Sequence, residues 1–131
     1  MPKSGFSLIE LMVAIAILAI LAGMAIIPYN YYQRRAKAKE LIIFSRTCLN
    51  EAISQCIENS NFNDFESLSS CNPQTQETTY LENIQITLSG SCNNEINVTA
   101  SGKIKGTDIT FSVTCFYNHS NDEVFCNQPI S

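Results

Sequence analysis

The strongest constraint on this chain is a long apolar segment near its first residue. Residues 6–27, FSLIELMVAIAILAILAGMAII, contain only Ser7 and Glu10 as conventionally polar residues. As a helix the segment measures about 33 Å, enough to cross the roughly 30 Å hydrocarbon core of a bilayer. A cleaved secretory signal is the rival interpretation, but the run is too long for an ordinary signal core and has Glu10 near its start. The segment therefore predicts a membrane-spanning helix.

The charges outside this segment are strongly segregated. Residues 34–46 hold five basic residues against one acid, whereas residues 47–131 hold two lysines against ten acids. The overall net charge of −4 is the sum of the positive charge of the first region and the larger negative charge of the second. An acidic C-terminal region is a poor surface for nucleic-acid phosphates, and a single histidine excludes multi-histidine metal and catalytic sites. We call the five cations of residues 34–46 the basic collar: Arg34, Arg35, Lys37, Lys39 and Arg46.

Glu10 is the most informative residue of the apolar segment. A carboxylate in apolar surroundings costs about 2.5–3.5 kcal/mol on insertion scales and is by default a candidate functional residue. The alternative is that Glu10 lies shallowly among lipid headgroups, where its charge stays hydrated. It ends the run Gly5-Phe6-Ser7-Leu8-Ile9-Glu10, which follows a short leader with one lysine.

This N-terminal pattern resembles the processing signature of type IV pilins and the related pseudopilins. A short basic leader, a glycine, an aromatic residue and a glutamate four residues later carry the resemblance, which is close over residues 1–28 and extends only to the general layout thereafter. It implies that a membrane prepilin peptidase cuts between Gly5 and Phe6 and then methylates the new amine of Phe6. It also implies a structural subunit that polymerises through its helix into a type IV pilus.

The proposed cut gives Glu10 a partner. Cleavage after Gly5 creates a cationic amine on Phe6, and in a bundle of such helices the amine of one subunit can neutralise Glu10 of a neighbour. Dry surroundings make an unpaired charge costly, so the pair favours one axial register. We therefore expect Glu10 to be an assembly residue. The sequence has no Ser/His/Asp or Cys/His set that suggests catalysis, so we expect neither an enzyme nor a cofactor.

Two signals disagree about which side of the membrane the C-terminal region occupies. The positive-inside rule counts five basic residues after the span and one before it, which predicts a cytoplasmic location. Six cysteines favour an oxidising compartment, and the resemblance also places this region outside. We therefore expect a single-pass precursor in the inner membrane with a periplasmic head, later part of an extracellular pilus. Its expected partners are other pilin subunits, the prepilin peptidase and the inner-membrane assembly machinery.

The apolar segment is predicted to continue as a longer helix. From Arg34 to about Glu58 there is no Gly or Pro, and apolar residues recur at helical spacing. We expect one spine helix over residues 6–58, kinked near Pro28 because proline removes a backbone donor and clashes one turn back. The predicted divisions are a leader (1–5), a filament-core helix (6–28), an amphipathic continuation (29–58) and a head (59–131).

The head is predicted to be a small antiparallel sheet. Residues 59–79 are rich in Asn, Ser, Thr and Gln and indicate a loop, which Phe62, Phe65 and Leu68 attach to the core. Alternating apolar residues with short turns between them then predict antiparallel strands. These strands lie near 84–88, 96–100, 109–117 and 123–126. The predicted fold class is α+β, the pilin fold, with three or four strands against the spine helix.

The six cysteines are expected to form disulfides that stabilise this head, because the head is too small to bury a large core. They allow fifteen pairing schemes, of which twelve remain, because Cys48 and Cys56 are about 12 Å apart on one helix and cannot bond. A zinc site is disfavoured because no C-x-x-C occurs. Cys115 and Cys126 flank a tight hairpin and resemble the family's disulfide-bounded loop. The expected bonds are Cys115–Cys126, Cys56–Cys71 and Cys48–Cys92, with Cys48–Cys115 as the main alternative.

Several alternatives stay open on the sequence alone. Two N-x-[ST] triplets, at Asn97 and Asn118, are candidate glycosylation sites. Asp108, Asp122 and Glu123 are a candidate calcium site against the simpler interpretation of solvated surface charge. The main functional alternative is a minor pilin or a secretion pseudopilin. A DNA-receptor pilin and a secreted disulfide-rich effector are the other two.

Overall fold

The structure is a computed structural model that describes residues 4–72 and 77–131. The first three leader residues, including Lys3, and four residues of the predicted loop 59–79 lie outside the described residues. The chain divides into two compact units, Met1–Gln33 and Arg34–Ser131. The first is helical where it is described, and the second contains the sheet and the disulfides.

Two helices account for the predicted spine. Helix α1 covers Leu8–Ala38 and helix α2 covers Glu40–Glu58. They are separated at Lys39, where the amide bonds the carbonyl of Ala36 at 3.2 Å in a tighter, three-residue turn. The predicted long helical region is therefore confirmed, with ends correct to within two residues. Its one turn residue, Lys39, is not marked by any sequence signal. Pro28 lies inside α1, which is assigned as continuous through it, and a kink there stays a prediction.

Four strands form one antiparallel sheet in the order β1-β2-β3-β4. This confirms the predicted α+β fold, with the upper number of strands. The strands are β1 Leu81–Gly90, β2 Glu95–Ile104, β3 Thr110–Asn118 and β4 Glu123–Cys126.

The β1–β2 hairpin depends on a glycine. Gly90 has φ +114°, and a Cβ at this position would lie 2.0 Å from the carbonyl oxygen of Glu95. Only glycine adopts such a conformation without strain. At the other end of β1, the pairing with β2 shifts between Glu82 and Gln85, where Asn83 has φ 53°. This shift is a β-bulge, and it lets β1 be longer at its start than the alternation of apolar residues suggested.

The core lies between α2 and one face of the sheet. Alternate residues of β2 and β3 are buried, as the two-residue period predicts. The buried face of α2 contains one polar side chain, Ser45, whose hydroxyl donates a hydrogen bond of 2.7 Å to the carbonyl oxygen of Val98. This bond ties the helix to the central strand without an unpaired polar group. The large side chains that are fully buried include Leu41, Leu49, Leu81, Ile84, Ile96, Val98 and Val113.

One of the three predicted disulfides is correct. The structure contains Cys115–Cys126 as expected, but Cys48 bonds Cys71 and Cys56 bonds Cys92. The expected pairs Cys56–Cys71 and Cys48–Cys92 are therefore wrong, and so is the alternative Cys48–Cys115.

Cys48 and Cys56 each bond the cysteine that was expected for the other, because the chain turns back along α2 after that helix ends. A short 3-10 helix, Ser69–Cys71, is held against the middle of α2 by Glu51, whose carboxylate accepts a 2.8 Å bond from the amide of Ser70. Cys71 thus lies beside Cys48, with a Cα–Cα distance of 4.6 Å. The turn after β1 brings Cys92 to Cys56 instead.

The loop after α2 is attached to the core as expected. Phe65 and Leu68 are buried and Phe62 is half-buried, and together they form a second small apolar cluster with Ala52 and Cys92. The rings of Phe62 and Phe65 meet edge to face at 5.4 Å, a favourable arrangement for an aromatic pair.

Candidate functional site

The predicted cleavage site lies in an exposed segment before the first helix. Residues 4–7 precede the first turn of α1 and have no assigned secondary structure. Phe6 is 91% exposed, and Gly5 has no atom within 4 Å of the position where a Cβ would lie. The Gly5–Phe6 bond is thus sterically open to an enzyme, as proteolysis of a peptide bond requires.

Glu10 takes part in a local arrangement that sequence reasoning missed. Its backbone amide donates to the hydroxyl of Ser7 at 3.3 Å, and its carboxylate accepts from the amide of Ser7 at 3.1 Å. This reciprocal pair is a capping box, which satisfies two amide groups at the start of a helix. The signal was present in the sequence as Ser-x-x-Glu directly before an apolar run. Glu10 therefore has a local structural role besides its predicted role in assembly.

The helix that follows is apolar around its whole circumference. Every large apolar side chain between Leu8 and Ile27 is more than half exposed within the described chain. A helix that is apolar on all sides is stable only in lipid or in contact with other protein surfaces. The helical region that begins at Leu8 is the one membrane-span candidate, by length and composition, among the described residues.

The candidate calcium residues do not form one site. Asp108 lies at the β2–β3 turn and pairs with Lys103 at 3.4 Å, whereas Asp122 and Glu123 lie at the opposite end of β3. Within residues 4–72 and 77–131 no group of three or more His, Cys, Asp or Glu side chains could hold a metal ion. Asp122 instead accepts a 3.0 Å bond from the hydroxyl of Tyr117. Burial, and then this bond, raise the pKa of Tyr117.

The two glycosylation candidates differ in accessibility. Asn97 lies in the central strand β2, half-buried, and its Oδ1 atom is buried without a hydrogen-bond partner in the described chain. Asn118 is at the end of β3 and exposed, and its Oδ1 atom accepts a 2.9 Å bond from the amide of Ser120. Asn118 is therefore the more accessible of the two in the folded head.

Comparison with known proteins assigns the N-terminal segment. The family described as the prokaryotic N-terminal methylation motif matches residues 1–26. This motif is typical of type IV pilins and pseudopilins. The matched range includes the predicted cleavage site at Gly5–Phe6, the capping box and most of the apolar run. The chain thus carries the N-terminal motif of pilin-like proteins. No match was found among curated proteins or solved structures.

The pilin-like assignment agrees with the described fold. A long N-terminal helical region packs its C-terminal half on a four-stranded antiparallel sheet with three disulfides. Such proteins are structural and not enzymatic. The methylation motif implies processing by a prepilin peptidase and pilus-type assembly, and with the apolar helix it suggests a membrane-anchored precursor that is exported by a pilus-type route.

Proposed function

We propose that this pilin-like protein is a structural subunit of a type IV pilus. The observation that carries the proposal is the pairing of a methylation motif with a helix whose apolar side chains are uncovered on every side. Such a helix needs lipid before assembly and other helices after it. The precursor spans the inner membrane, loses residues 1–5, and joins other subunits through residues 6–28, while residues 59–131 form the surface of the filament.

The charge of Glu10 is proposed to set the axial register of that assembly. The amine of Phe6, once released, is a cation at the start of the helix, and Glu10 is the acidic residue within the apolar run. Pairing these groups between neighbours compensates two charges that lie in dry surroundings, where leaving one unpaired is strongly destabilising. The filament then serves adhesion, motility or DNA uptake in this proposal.

Substitution of Glu10 tests the proposal and separates its two roles. Glu10→Ala should leave the protein membrane-inserted but abolish filaments, as seen by electron microscopy of sheared cells and immunoblotting of the membrane fraction. Glu10→Gln keeps an acceptor for the Ser7 amide but removes the charge, so it should fail as Glu10→Ala does. Ser7→Ala removes the serine half of the capping box and should still assemble. Normal filaments from Glu10→Gln would contradict the register role.

The main alternative, a minor pilin or a secretion pseudopilin, is distinguished by abundance. A subunit that builds the fibre should dominate the protein mass of sheared filaments. A minor subunit would be present at a small fraction of that mass, with another pilin as the main component. Quantitative mass spectrometry of purified filaments makes this distinction.

A further inference from the structure

The outward face of α2 carries two large aliphatic side chains that nothing in the described head covers. Ile43 is 67% exposed and Ile57 is 81% exposed. They are separated by fourteen positions on one helix, close to four turns, so they lie on the same face about 21 Å apart. The residues between them on this face are exposed and polar, among them Thr47, Asn50 and Ser54. We call this face the outer α2 stripe.

The two ends of the outer α2 stripe carry opposite charges. Arg46 lies one turn after Ile43, and Glu58 lies directly after Ile57; both are exposed. The ion pairs within residues 4–72 and 77–131 involve Lys103 and Lys105, and none includes Arg46 or Glu58. Each end of the stripe thus combines an exposed isoleucine with a charge that has no ion-pair partner in the described chain.

We propose that the outer α2 stripe binds a second copy of this chain, with the Ile43–Arg46 end of one copy on the Ile57–Glu58 end of the next. This inference rests on the proposed function, because subunits joined through the same N-terminal segment are parallel. In a parallel pair, a displacement of fourteen residues, about 21 Å, brings Ile43 level with Ile57. The same displacement brings Arg46 within about 3 Å, measured along the axis, of Glu58.

This contact has the geometry of a fibre. It joins two different ends of the same surface, so it is heterologous, and repeating it along one direction generates an open assembly that does not close. The apolar contact supplies burial, while the Arg46–Glu58 pair selects the register, since a parallel pair without the displacement would bring like charges level with each other. The contact also gives Arg46, one of the five residues of the basic collar, a role outside the membrane.

Charge reversal in the full-length protein tests the contact. Arg46→Glu and Glu58→Arg should each lower the filament yield at least about tenfold, and the double variant, which restores an opposite pair between copies, should recover most of it. Glu123→Arg is the matched control for Glu58→Arg: it reverses an exposed charge of strand β4 that has no ion-pair partner in the described chain, and it should assemble normally. If both single variants assemble normally, or if the double variant is no better than the singles, the contact is wrong.

A lipid partner for the collar predicts a different pattern. If anionic headgroups bind Arg46, then Arg46→Glu should impair assembly, Glu58→Arg should not, and the double variant should resemble Arg46→Glu. That pattern would overturn the proposed contact. Absence of filaments from the unmodified protein, in contrast, would count against the proposed function itself, so the two failures are distinguishable.

Cross-linking tests the register directly. All six native cysteines are described and disulfide-bonded, so introduced thiols are the ones available to a short bis-maleimide. Filaments of Ile43→Cys/Ile57→Cys should give a ladder of covalent dimers, trimers and higher species. Filaments of Ile43→Cys/Ser120→Cys, in which the second thiol is in the exposed β3–β4 turn, should remain monomeric. A ladder from the control, or none from the first variant, would overturn the fourteen-residue displacement.

Discussion

The two units of the molecule use apolar residues in opposite ways. Between Leu8 and Ile27 all large apolar side chains are exposed, whereas in Arg34–Ser131 a continuous cluster is buried between α2 and the sheet. The second unit has a core of its own, although Ile43 and Ile57 on α2 remain exposed, and three disulfides add to its stability. The first unit has no core and depends on lipid or on neighbouring subunits. The near-neutral mean hydropathy of the chain therefore combines an apolar segment that must be covered from outside with a unit that has its own buried core.

The largest effect expected within the head is the loss of a disulfide. In the chain-entropy account, stabilisation grows with the length of the loop that is closed. Removing Cys56–Cys92, whose separation is 36 residues, should lower the free energy of unfolding by about 4 kcal/mol. Removing Cys48–Cys71 or Cys115–Cys126, with separations of 23 and 11, should cost about 3 kcal/mol each.

Denaturant unfolding of the full chain in detergent, followed by near-ultraviolet circular dichroism, measures these differences for paired Cys→Ala variants. The order of the three variants is the informative result. If the Cys115–Cys126 variant were the least stable, loop closure would not be the main source of stabilisation. Loss of membrane insertion in any of them would contradict the independence of the two units.

The next prediction compares the effect of a Leu→Ala substitution on stability in each of the two units. Leu49 is fully buried and Leu18 is 64% exposed. Leu49→Ala should lower the free energy of unfolding of the head by about 2–5 kcal/mol, because it removes apolar contacts and leaves a cavity. Leu18→Ala should leave head unfolding unchanged. Equal effects of the two substitutions in the same denaturation measurement would break the distinction between the units.

The smallest effect is a pH dependence confined to the head. Hydrogen bonds from Ser70, through its hydroxyl and its amide, lower the pKa of Glu51 below its ordinary value of 4.5. A lowered pKa in the folded state adds stability above the unfolded pKa, and this contribution is lost as the pH falls through the folded value. The stability difference between wild type and Glu51→Gln should therefore be largest near neutral pH and should shrink below about pH 4.5.

A neutral neighbour provides the control for that measurement. Asn50→Gln, on the exposed face of the same helix, changes no titrating group, so its stability difference from wild type should be independent of pH. If the Glu51→Gln difference is equally flat between pH 7 and pH 3, the bonds to Ser70 do not favour the ionised carboxylate in solution.

The local patterns of the sequence predict the secondary-structure elements and the N-terminal motif well. The apolar run and the helical spacing after Arg34 locate the ends of the helical region to within two residues, and alternation locates β1, β2 and β3. Burial on one face imposes a repeat that the sequence must carry. The run from Gly5 to Glu10 predicts the motif, because its chemistry is contained in consecutive residues. The capping box of Ser7 and Glu10 was readable in the same way, although the charge of Glu10 alone had pointed only to assembly.

The features that depend on contacts distant in sequence were not predictable. The disulfide partners of Cys48 and Cys56 depend on the path of residues 59–72, which turn back along α2 under the Glu51–Ser70 bond. Nothing in the cysteine spacing records that path. The interruption at Lys39 is likewise unmarked, since no Gly or Pro lies near it.

The mature N-terminus tests the central claim most directly. Mass spectrometry of the protein purified from sheared filaments, with peptide sequencing of its first residues, identifies where the chain begins and whether the amine is modified. The account predicts a chain that starts at Phe6 and carries one methyl group on its amine. A chain that keeps residues before Phe6, or one that starts beyond Ala22 as a secreted effector would, contradicts it.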